Sequence, residues 1–245
     1  MVKSLDQESR KKTVLGRTIN QYIREAAPVS SEAIAREFGL SSATIRNIFS
    51  ELEEDGYLTH PYTSGGRIPT KNGYRYFVDF IFSEIDLLDE EKNKIMQEYN
   101  DEIDKLEDVL DKTSDVISAI THYAGITSFL EWHDRFFYKG ISQILNQPEF
   151  QDLEKIRLLI KMLEEKRRIL EVVNRDFDGK VKVYIGEELG FPEIDNCALI
   201  VSTYSVKNKP LGRVAVLGPM RMQYHHTISA LEYISEILTE TIEKI

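Results

Sequence analysis

Residues 41–71 read SSATIRNIFSELEEDGYLTHPYTSGGRIPTK, and this stretch decides the fold. Ile45, Ile48, Phe49 and Leu52 recur at the i, i+3, i+4, i+7 spacing of one buried helix face. The opposite face opens with Ser42, Thr44, Arg46, Asn47 and Ser50, side chains that hydrogen-bond bases and phosphates. Gly56 stops this helix. A strand follows over 57–61, a tip over 62–66 (Tyr-Thr-Ser-Gly-Gly), and a returning strand over 67–69. A recognition helix followed by a wing points to DNA.

The residues upstream complete the motif. A first helix spans 10–26, with Val14, Leu15, Thr18, Ile19, Tyr22 and Ile23 on one side. Ala27-Pro28 ends it. Ser30 or Ser31 caps a second helix whose core side is Ala33, Ile34 and Phe38, and Gly39 closes it as a left-handed cap. Ser41 or Ser42 caps the third. The short gap between the second and third helices is helix-turn-helix spacing. A fourth helix, over 74–83, carries Tyr74, Tyr76, Phe77, Phe80 and Phe82. These rings either pack in the core, with Phe77, Phe80 and Ile81 on one face, or stack single-stranded bases.

Charge divides along the chain. The net charge of −10 is unlike that of a DNA binder, but residues 1–80 hold 11 basic and 10 acidic side chains, a balance of +1. The other 20 basic and 31 acidic residues give −11. Acidity outside the DNA module keeps that part off phosphate and lowers non-specific binding. At 245 residues the chain has room for two domains, or for one domain and a dimerising arm. No run of about 18 apolar residues suggests a membrane span, and the polar N-terminus lacks a secretory h-region. The single cysteine, Cys197, excludes an internal disulfide framework and fits a cytoplasmic location. It starts an apolar strand, where packing and a redox role are the two alternatives.

Residues 86–124 read as a long dimerisation helix. Met96, Tyr99, Ile103, Leu106, Leu110, Thr113, Ile117 and Ile120 alternate at spacings of three and four, a heptad seam that a lone helix could use against its own domain but whose regularity favours the same helix from a second chain. Further on, 123–147 suggests a packed turn or short helix around Trp132, Phe136, Phe137 and Tyr138. A single amphipathic helix is expected over 149–175, with Phe150, Leu153, Ile156, Leu159, Ile160, Leu163, Ile169 and Leu170 inward. Strands over 181–185, 198–206 and 211–217 and a helix over 224–242 follow. The domain reading is therefore 1–85, 86–124 and 125–245.

The chain resembles the heat-inducible transcription repressor family HrcA. The match runs from Pro28-Val29-Ser30-Ser31 through SSATIRN, LEEDGYL and TSGGRIPTKNGYRYFVD, and resumes with THYAG at 121–125, LNQPEF at 145–150 and IGEE at 185–188. It ends with YSVKNKPLGRVAVLGPMRMQY at 204–224. The resemblance implies an α+β chain: a winged helix-turn-helix, a dimerising helix and a GAF-like C-terminal α/β domain. That last domain looks trimmed, because only about twenty residues join the THYAG and LNQPEF blocks where family members carry a long segment. It also implies repression of chaperone genes by a homodimer on an inverted-repeat operator, with a chaperonin as a further partner.

The candidate DNA-binding residues are Ser30, Ser31, Ser41, Ser42, Thr44, Arg46, Asn47, Ser50, Thr63, Ser64, Gly65, Gly66, Arg67 and Lys71. Arg46 can grip a guanine edge and Asn47 an adenine edge. Gly65-Gly66 leaves backbone free to approach phosphate, or simply makes a tight turn. Arg67 can enter a narrow minor groove. Glu51, Glu53, Glu54 and Asp55 would be repelled by phosphate, so the recognition helix must dock by its front half. No catalytic motif, zinc spacing or cofactor loop is found, so no catalytic residue, metal or cofactor is assigned. Two rival readings remain: a sensor whose GAF-like domain takes a small molecule, and an adaptor whose winged helix binds protein.

Overall fold

The computed structural model describes residues 2–62, 65–81, 87–99, 105–133, 135–191, 195–207 and 209–244. The chain divides into two units, Met1–Ser83 and Glu84–Ile245. In the first, helix α1 (Val2–Glu25) buries Val14, Leu15, Thr18 and Ile19. Helix α2 (Ser31–Phe38) starts at Ser30, whose hydroxyl accepts from the Ala33 amide at 3.2 Å, and ends at left-handed Gly39 (φ 63°). Helix α3 (Ser42–Glu54) buries Ile45, Ile48, Phe49 and Leu52. Strands β1 (Leu58–Thr59) and β2 (Ile68–Pro69) pair antiparallel, and Val29 adds a third rung by pairing with Arg67.

Helix α4 (Lys71–Tyr76) starts three residues before the expected position, because Thr70 caps it through the Gly73 amide at 3.1 Å. It continues into a wide π turn over Phe77–Ile81. That turn rotates the face: Tyr74 and Phe77 are buried, whereas Phe80 is 71% exposed. The expectation that Phe80 shares the core face is corrected on this ground. Phe82 lies outside the described residues.

The second unit is built on an antiparallel sheet. Its strands are β3 (Ala124–Phe129), β4 (Phe136–Lys139), β5 (Val181–Ile185), β6 (Cys197–Val206) and β7 (Lys209–Pro219), in the order β4-β3-β7-β6-β5. On one face lie helices α6 (Leu106–Thr121) and α10 (Tyr224–Ile242), joined to the sheet through Ser114–Thr127 and Ser202–Ser235 hydroxyl pairs, and helix α5 (Asp89–Glu98) packs on these two. Gly125 lets α6 lie directly on β3, since a Cβ there would sit 2.3 Å from the Ser114 carbonyl. On the other face, helices α7 (Ile141–Leu145), α8 (Leu153–Glu164) and α9 (Lys166–Val173) bury Leu159, Leu163, Ile169 and Leu170 against Leu199, Val201 and Ala215. The chain is α+β, a winged helix-turn-helix followed by a five-stranded antiparallel sheet with helices on both faces.

Three expectations need correction. The heptad segment is two helices, not one: Tyr99 leaves the helical run, and Lys105 is extended (φ −121°, ψ 129°). Leu110, Thr113 and Ile117 are buried within their own unit against the sheet and α10, and Tyr99 donates to Thr113 Oγ1 at 2.8 Å. The 86–124 segment is thus no separate arm. Leu106 and Ile120 are half-buried, Met96 is 48% exposed, and Ile103 lies outside the described residues. The 123–147 stretch forms the β3–β4 hairpin followed by α7. The expected 149–175 helix breaks at Glu165 (ψ 59°) into α8 and α9; Leu153, placed inward by the sequence, is 77% exposed, and Ile160 is exposed too.

The blocks THYAG, LNQPEF and GPMRMQY, distant in sequence, meet at one end of the sheet. Arg221 binds Glu149 at 2.8 Å and donates to Gln147 Oε1 at 3.0 Å, and the Gln223 amide donates to the Tyr123 phenol at 3.4 Å.

Candidate nucleic-acid interface

The recognition helix spends part of its polar face on its own construction. Ser41 accepts from the Thr44 amide at 3.0 Å and shares a hydrogen bond with the Thr44 hydroxyl at 2.8 Å. Ser50 donates to the Arg46 carbonyl at 3.1 Å. Arg46 and Asn47 are exposed in the front half of α3. The Arg46 side chain is 63% exposed, and its Nη2 lies 3.1 Å from Glu32 Oε1 on α2. Its Nε donates to the buried Ser31 hydroxyl at 3.3 Å, and Nη2 also reaches the Ser42 hydroxyl at 3.5 Å. The Glu32 carboxyl is held below the usual carboxylate range first by its own backbone amide at the helix start and then by Arg46.

The wing differs from expectation. The Arg67 backbone pairs with Val29 at 2.9 and 2.8 Å. Its guanidinium turns inward to Glu53 at 3.0 Å, with the side chain only 20% exposed. Its Nη1 donates to the Gly65 carbonyl at 3.4 Å, and Nε is buried without a hydrogen bond. In this conformation Arg67 braces the wing rather than reaching into a minor groove. Glu53 also receives His60, so one carboxylate joins the end of α3 to both sides of the wing. Gly66 is needed for packing: a Cβ there would lie 2.5 Å from the Val29 carbonyl. Of the two readings of these glycines, close backbone approach within the fold explains Gly66. Gly65 closes the turn by donating to the Tyr62 carbonyl at 2.9 Å. Thr63 and Ser64 lie outside the described residues. Lys71 opens α4, half-buried.

A groove of about 420 Å³ brings several of these residues together. Ser30 and Ser31 from the start of α2, Arg46 and Ser50 from α3, and Gly65 and Gly66 from the wing line it. The acidic rear of α3 is partly offset inside the unit, because Lys11 binds Asp55 at 2.5 Å and Glu51 at 3.7 Å while Glu53 holds Arg67. Sequence reasoning did not find Glu32, Glu53 or His60. Glu32 stands on a different helix from Arg46, and no periodicity links them. Tyr62, absent from the sequence-derived set, is a highly exposed ring at the wing.

Elsewhere, Cys197 is buried and burial pushes its thiol up, which fits the packing role and disfavours reactivity. Among the described residues, no His, Cys, Asp and Glu cluster suits a metal, and no helix is long and apolar enough to cross a membrane.

Comparison with known proteins adds independent findings. Residues 7–79 match the family model "Winged helix-turn-helix transcription repressor, HrcA DNA-binding", and 126–228 match "HrcA protein C terminal domain". The heat-inducible transcription repressor HrcA of Carboxydothermus hydrogenoformans is 29% identical, over 96% of this chain and 98% of its own. That of Acetivibrio thermocellus is 28% identical, over 97% of each. The latter alignment spans 341 positions against a chain of 245, so this relative carries about 100 internal positions without a counterpart here. A crystal structure described as a hypothetical protein superposes with a TM-score of 0.76 at 20% identity, over 96% of this chain and 98% of that one, which supports the fold.

Proposed function

This chain belongs to the HrcA family of heat-inducible transcription repressors, and we propose that it represses heat-shock and chaperone genes as a homodimer on an inverted-repeat operator. It is a DNA-binding regulator, not an enzyme, and the family match disfavours a small-molecule sensor. The front half of α3 enters the major groove, where Arg46 takes a guanine edge and Asn47 an adenine edge. Ser42 and Ser50 flank them. Ser30, at the amide-rich start of α2, and Lys71 contact phosphate and fix the register, while the buried Ser31 accepts from Arg46. Ser41 and Thr44 contribute by building the helix start. Gly65 and Gly66 set the wing's position, and Thr63 and Ser64 at its tip touch phosphate.

One observation carries this reading: Arg46 and Asn47 are both exposed in the front half of α3, and Arg46 lines the groove beside the wing. The location is cytoplasmic. The dimer contact lies outside the buried residues Leu110, Thr113 and Ile117. Chaperonin control belongs to the same proposal. A mobility shift with an inverted-repeat duplex and a scrambled duplex, at two salt concentrations, tests it. Preference for the inverted repeat that persists as salt rises supports it; equal binding to both, or no salt-dependent binding, refutes it.

A further inference from the structure

We propose that Glu32 is a positioning residue for base recognition: with Ser31 it occupies one edge of the Arg46 guanidinium and so presents the other edge to a guanine. The inference rests on the DNA-reading role proposed for Arg46. A guanidinium is a planar fork with two donor edges, one formed by Nε–H with an Nη2–H, the other by Nη1–H with the second Nη2–H. Ser31 accepts from Nε at 3.3 Å and Glu32 from Nη2 at 3.1 Å, so these two acceptors fill the side edge.

The end edge is the pair of parallel donors that matches O6 and N7 of guanine. Ser42 meets Nη2 only at 3.5 Å, a contact at the limit of hydrogen bonding that a base edge displaces. Arg46 and Glu32 are both solvent-exposed, 63% and 52%, so the pair adds little to folding. Its effect is orientation. Without the acceptors on its side edge, a long arginine loses a fixed plane and serves nearby phosphates as readily as a base. Ser31 is itself buried at the first position of α2, so the support stands on a rigid element.

The test starts with the duplex that the wild-type chain enriches from a randomised library, and a shuffled duplex of the same composition. If the wild-type chain enriches no sequence, the DNA-reading proposal itself fails. Given enrichment, Glu32→Ala is expected to lower the preference for one guanine position by about three- to tenfold while leaving the salt slope and melting temperature nearly unchanged. Glu32→Gln, which keeps a neutral acceptor, restores part of that preference. In an Arg46→Ala background, Glu32→Ala changes base preference no further. Unchanged base preference in Glu32→Ala, or an equal loss in the Arg46→Ala background, overturns the proposal.

Discussion

Glu53→Ala tests whether the wing is held from the recognition helix. Glu53 contacts Arg67 at 3.0 Å and also receives His60, and the Arg67 side chain is only 20% exposed with Nε already lacking a partner. Removing the carboxylate therefore leaves a mostly buried guanidinium uncompensated. An exposed ion pair contributes about 0–1 kcal/mol and a broken buried one costs about 3–5 kcal/mol. A half-buried pair with one partner lost falls between, at roughly 2 kcal/mol. For a unit of this size, each kcal/mol lowers the midpoint by about 4–8 °C, so a fall of roughly 8–16 °C is expected in the transition of the N-terminal unit. Calorimetry of the full chain reads this, with Glu54→Ala, an exposed neighbour, as the control. Amide exchange adds location. The Val29 and Arg67 amides, which bond each other's carbonyls, should lose protection together. A midpoint within two or three degrees of wild type, with Val29 and Arg67 still protected, would show that Glu53 does not hold the wing.

The remaining predictions concern contacts, assembly and pH. Arg46→Ala should cost roughly 1–3 kcal/mol of specific DNA affinity and relax one base position per half-site, whereas Lys71→Ala should weaken all sequences alike and reduce the salt slope by about 1; fluorescence anisotropy across a salt series distinguishes them. Leu110→Asp places a charge where the side chain is 0% exposed, so it should unfold the C-terminal unit, by more than about 4 kcal/mol, rather than yield a folded monomer. Sedimentation combined with circular dichroism decides that case, and a native spectrum with a monomer mass would restore the heptad seam as a dimer surface. The third concerns Glu91, whose carboxyl is held below its ordinary value of 4.5, chiefly by its hydrogen bond with His226 at 2.7 Å. Because the folded pKa is depressed, its stabilisation is complete above the ordinary value and disappears as pH falls through the folded one. Glu91→Gln should therefore lower the melting temperature near pH 6, by a difference that shrinks as pH is taken progressively below 4.5; a difference that does not change with pH refutes the assignment.

The described structure also bears on the short segment between the THYAG and LNQPEF blocks. Ala124–Phe129 and Phe136–Lys139 of this chain form the β3–β4 hairpin. Ser128 pairs with Phe136 near its end, and Arg135 binds Glu107. The Arg221–Glu149 pair then ties the 145–150 block to the 217–224 block within the same unit.

Local chemistry was enough to read the N-terminal unit from sequence. Ser30, Gly39 and Ser41 act as caps through groups within three or four residues, and the Ile45–Leu52 face follows from helical geometry alone, so both the helix-turn-helix and the exposure of Arg46 were legible. The family motifs likewise identified the repressor fold. Three features needed the tertiary structure. The 3–4 spacing of Leu110, Thr113 and Ile117 is identical for a coiled coil and for a helix lying on a sheet; only the presence of β3 and α10 beside it decides which. The direction of Arg67 depends on Glu53, fourteen residues earlier on another element, and the orientation of Arg46 depends on Glu32 across the turn. Periodicity states which side of a helix is apolar. It carries no information about which distant carboxylate meets a given arginine, because that pairing is set by chain packing rather than by local sequence.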